Sequence, residues 1–78
     1  MAYKVTYFDS DMNVIFIREY DSFDVATYEA RCYELEGFDP FGPNMIPIGA
    51  IHMTGPNGTN YKFNHLETVI KDLWVEIL

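Results

Sequence analysis

Three groups of residues in this chain have the types and spacing that chemistry requires. Asp9-x-Asp11-x-Asn13 matches the opening of a calcium loop, where side-chain oxygens two residues apart converge on one cation. The match then fails. Val14 stands where such a loop needs glycine for its sharp turn, and Tyr20 where it needs a bidentate acid. A hairpin turn rich in Asp and Asn accounts for the same residues. His52 and His65 have no Cys or acid at ligand spacing, so no metal is expected. Cys32 is the single cysteine, and a mid-helix position among apolar neighbours makes it a buried, inert thiol. Ser10 falls in a turn and Ser22 at a helix cap, so neither has a base placed to activate it. Gly55-Pro56-Asn57-Gly58 is a turn and not a phosphate cradle, because its proline removes an amide donor. Neither a catalytic residue nor a cofactor is expected, and the chain reads as non-enzymatic.

The remaining signal is charge. The formal net charge is -7 over 78 residues. Asp9, Asp11, Glu19, Asp21, Asp24, Glu29, Glu34, Glu36 and Asp39 face only Arg18 and Arg31 within 9–39, so this stretch carries the whole imbalance. Elsewhere Lys4, Lys62 and Lys71 offset Glu67, Asp72 and Glu76. A field of this sign repels nucleic acid and anionic membranes and attracts basic protein surfaces. Direct nucleic-acid binding is therefore not expected, and a protein partner with a basic surface is. With 49% hydrophobic and 17% aromatic residues, the composition is that of one folded domain spanning 1–78. No apolar run approaches the roughly 20 residues that span a bilayer. A lone cysteine rules out an internal disulfide and suits a reducing cytoplasm.

These side chains must be positioned by a small set of elements. Residues 3–8 alternate Tyr3, Val5 and Tyr7 with Lys4 and Thr6, the period of a half-buried strand. After the Asp9–Asn13 turn, 14–20 is β-branched and aromatic and predicts a second strand in a hairpin with the first. Its first half is apolar on both faces, which places it inside the sheet. Ser22 is the expected N-cap of a helix over 23–36, and Gly37 its left-handed terminus. The segment 37–47 holds three prolines and two glycines and is irregular. Strands are predicted at 48–54 and 59–63. Asn64 and Glu67 then form a capping box for a second helix reaching Ile77, with Leu66, Val69, Ile70, Leu73, Trp74 and Ile77 in one arc. The expected fold is α+β, in the order β-β-α-β-β-α: a four-stranded antiparallel sheet with two helices packed on one face.

The first helix carries two apolar arcs. Phe23, Ala26, Ala30 and Tyr33 suit the sheet, since small residues allow a close approach. Val25, Tyr28, Cys32 and Leu35 lie opposite and need another cover, which the 37–47 loop, the second helix, a partner or a second copy would supply. Glu29 and Glu36 fall about 10.5 Å apart along the helix axis, at roughly 1.5 Å per residue. The candidate partner-binding residues are therefore Asp21, Asp24, Glu29, Glu34, Glu36 and Asp39, with Tyr28 and Phe41 as aromatic anchors. In size and charge the chain resembles the small acidic proteins that phages make against host defences, the anti-CRISPR and anti-restriction proteins that imitate nucleic acid. That resemblance covers composition alone, and it implies an inhibitor that blocks a basic, nucleic-acid-binding surface. The alternative is a homodimeric assembly module joined through the Val25/Tyr28/Cys32/Leu35 arc.

Overall fold

A computed structural model describes residues 2–37, 46–65 and 73–77. The chain runs β1 (Tyr3–Phe8), β2 (Val14–Tyr20), α1 (Phe23–Glu36), β3 (Ala50–Thr54), β4 (Asn60–Phe63) and β5 (Trp74–Glu76). The strands form one sheet in the order β2-β1-β3-β4-β5, each antiparallel to its neighbours. The α+β class stands, with five strands and, among the described residues, one helix.

The first half follows its local signals. β1, β2 and α1 occupy their expected spans. The Ser22 side chain accepts the Val25 amide at 3.1 Å, and Gly37 ends the helix at φ 81°, a region that a side chain makes costly. α1 leans on β1 and β2. Ala26 and Ala30 are fully buried there beside Val5, Tyr7 and Tyr20, so the close approach of small residues is realised. Ile51, Met53, Phe63, Leu73 and Trp74 complete the core.

Two expectations are corrected. The helix foreseen over 64–77 does not reach its end, because Trp74–Glu76 is a strand paired to β4 in the register Phe63↔Trp74, Lys62↔Val75, Tyr61↔Glu76. The Asn64 amide, cast as part of a cap, donates to the Leu73 carbonyl at 2.6 Å, and the Ile77 amide donates to Asn60 at 2.8 Å. These bonds bracket the ladder and close what would otherwise be a bare edge on β4. Residues 66–72, where the rest of that helix was expected, lie outside the described residues, as do Asp39 and Phe41. The second correction concerns β2, which is an edge strand and not an interior one. The chain leaves β2 through α1 and returns as β3 on the far side of β1, so the outer side of β2 has no neighbouring strand among the described residues.

Candidate interaction surface

The hairpin turn uses the residues that resembled a cation loop. The Asp9 carboxylate accepts the Asp11 and Asn13 amides, both at 2.9 Å, and the Asp9 amide donates to the Asn13 carbonyl at 2.9 Å. The Asn13 amide and its companion hold the Asp9 carboxyl below its usual range. Among the described residues no three His, Cys, Asp or Glu side chains gather as a metal site. Met12 closes the turn at φ 64°, half-exposed, in a conformation that costs an ordinary residue roughly 1–2 kcal/mol. Met12→Gly is expected to raise stability by about 1 kcal/mol, read as a higher urea midpoint at unchanged slope.

Above β2 lies an aromatic and ionic cluster. Tyr7 stacks on Phe16 with ring centroids 4.3 Å apart, and its hydroxyl meets that of Tyr20 at 3.0 Å in the core. Burial first, then this hydrogen bond, pushes the Tyr7 phenol far above its ordinary range. Burial also raises Tyr20. Both phenols therefore stay protonated at neutral pH and act as structural groups. Arg18 donates to Tyr33 at 3.3 Å and to Glu29 at 3.5 Å, joining the edge strand to the helix.

The acids follow β2 and α1. Asp9 and Asp11 sit in the turn before β2. Glu19 lies on the sheet face away from α1, opposite Lys4. Asp21 follows the strand, and Asp24, Glu29 and Glu36 ride on the helix. The seven residues of β2, about 20 Å from Val14 to Tyr20 at roughly 3.3 Å per step, separate Asp11 from Asp21, so the structure spreads the charge as a band and does not focus it in one spot. Asp11, Glu19, Asp21, Asp24 and Glu36 are exposed. Glu34 is different. It turns to the other flank of α1, where its side chain is 11% exposed, accepting from Arg31 at 3.3 Å, with His65 Nδ1 3.6 Å from its second oxygen. That oxygen is buried and has no hydrogen-bond partner among the described residues. His52 and Lys62 are paired on the face of β3 and β4 away from the helix, the face that also carries Glu19. With Asn64, His65 and Val75 they line an open cleft of about 510 Å³.

The second arc of α1 is exposed. Val25, Tyr28 and Leu35 are 51%, 71% and 72% accessible, and Cys32 between them is half-buried. The covers expected from within the chain, the 37–47 loop and the second helix, lie largely outside the described residues. Two further apolar residues, Val14 at 54% and Ile17 at 52%, lie along the β2 edge. The reading of β2 as an interior strand hid them, although their position beside the turn acids was the available signal. No helix among the described residues is long and apolar enough to cross a membrane. No protein-family model, curated protein or solved structure matches this chain.

Proposed function

We propose that this protein is a small non-enzymatic binding module that covers a basic, nucleic-acid-binding surface of another protein, as phage-encoded inhibitors of host defence nucleases do. The observation that supports this reading is the exposed acidic band along β2 and α1 beside the apolar Val25/Tyr28/Leu35 ridge. Carboxylates held on a helix and a strand keep their spacing, and can take the places of phosphates without reordering on contact. The aromatic and aliphatic ridge adds the desolvated anchor that charge alone lacks.

A triple variant, Asp21→Lys, Asp24→Lys and Glu36→Lys, tests it, since these three side chains are exposed. The native protein is expected to capture a partner from host lysate and to displace nucleic acid from it, and the triple variant to lose both. Equal capture by native and variant protein ends this reading. The exposure of Val25, Tyr28 and Leu35 favours one other reading, a homodimer joined through that ridge. Sedimentation at high concentration decides between them, because a strict monomer excludes the dimer.

A further inference from the structure

We propose that the edge of β2, which no strand covers among the described residues, is a docking strand that takes an extended, basic segment of the partner as a sixth strand of the sheet; this rests on the basic-partner reading above and names how that partner is held. The two edges of the sheet differ. β5 offers three residues, whereas β2 offers seven. The register shift opposite Tyr7 and Phe8 places a bulge at Ile15 and leaves Phe16–Tyr20 as a regular stretch.

The main-chain groups that leave this edge can be identified. The Gly49 amide donates to the Phe8 carbonyl at 2.8 Å, so Phe8 directs its backbone groups toward β3. Backbone direction alternates along an antiparallel strand. Tyr7 therefore addresses β2, and its register partner Phe16 addresses β1 in return. By the same alternation Arg18 points inward, while the N–H and C=O of Ile17 and Glu19 point away from the sheet. An incoming antiparallel strand would meet these four groups as a ladder.

Natural edges are usually guarded by lysine or proline. This one has no proline, and its one cation, Arg18, is engaged by Glu29 and Tyr33. Its exposed side chains are the apolar Val14 and Ile17, the acidic Glu19 and, on the face toward α1, Arg18, with Asp11 at one end and Asp21 at the other. Side chains directly opposite in an antiparallel pair stand about 4.5–5.5 Å apart. The residue opposite Ile17 is then apolar and the one opposite Glu19 is basic, two positions along on the same face. A second copy fits worse, because self-pairing sets one acidic edge against another. Strand addition of this kind gains affinity from the main chain and specificity from alternate side chains.

The test uses the whole protein and two synthetic heptapeptides, one carrying valine and lysine two positions apart on the same face with threonine between them, and one with glutamate in place of the lysine. Amide resonances of Ile17 and Glu19 are expected to shift on titration with the lysine peptide and to stay in place with the glutamate peptide. Ile17→Pro removes one outward donor without touching the ladder to β1, as edge prolines do, and should weaken the lysine peptide about tenfold or more. If that variant does not fold, Glu19→Lys decides, since it should repel the lysine peptide and admit the glutamate one. Shifts confined to the α1 ridge, or no shifts, overturn the proposal. Concentration-dependent broadening at Ile17 without peptide assigns the edge to a second copy and overturns it too. If Ile17→Pro still captures the full partner while the Asp21/Asp24/Glu36 triple variant does not, the basic-partner reading stands and only the strand addition falls.

Discussion

Trp74→Ala is expected to lower folding stability by about 3–5 kcal/mol, the range for emptying a large aromatic site in a core. Trp74 is 8% exposed, its ring meets Phe63 edge-on at 5.0 Å, and its indole N–H donates to the Thr27 hydroxyl at 2.9 Å. The Thr27 hydroxyl in turn donates to the Phe23 carbonyl at 2.8 Å, so the contact fastens β5 to the first turns of α1. A domain of this length has a total stability of about 4–12 kcal/mol, so the loss brings it close to unfolding. Far-UV circular dichroism in urea is the measure, since Trp74 is the sole tryptophan and its fluorescence vanishes with it. Thr27→Val keeps the shape but strands the indole N–H in the core, for about 1–3 kcal/mol. Ile77→Ser should cost under about 0.5 kcal/mol, because Ile77 is 42% exposed beyond the strand. In an amphipathic helix over 64–77 the same residue would be buried, and a large penalty at Ile77 would overturn β5.

Gly49→Ala should cost about 1–3 kcal/mol, at the upper end of that range, although the residue is exposed. A Cβ at Gly49 would collide with the Asp9 carbonyl and the Ser10 Cα. Both are backbone atoms, so no side-chain rotation relieves the clash. The turn they belong to is clipped by the Asp9 carboxylate, and the Gly49 amide is itself bonded to Phe8. Relief therefore means loosening either the hairpin or the β1–β3 ladder. Thermal unfolding reads the effect as roughly 4–8 °C per kcal/mol for a domain of this size. An unchanged midpoint would show that the approach of β3 to the turn is looser than described.

The sequence by itself determined what rests on neighbours along the chain. The alternation of Tyr3, Val5 and Tyr7, the Asp9–Asn13 turn, the Ser22 cap, the Ala26/Ala30 stripe and the Gly37 terminus each depend on contacts within a few residues, and α1, β1 and β2 fall where they were expected. The net negative charge and its confinement to 9–39 are equally plain in the residues. Tertiary structure alone decided which strand lies at the edge and what becomes of 74–77. An apolar run such as Val14–Ile17 reads as interior, but where the chain returns after α1 places it outside. Trp74 and its neighbours satisfy a helical arc as well as a strand, and hydrogen bonds to β4 settle the choice. Those bonds, like the approach of His65 to Glu34, join residues far apart in the chain or on separate elements, and local spacing holds no information about such pairings.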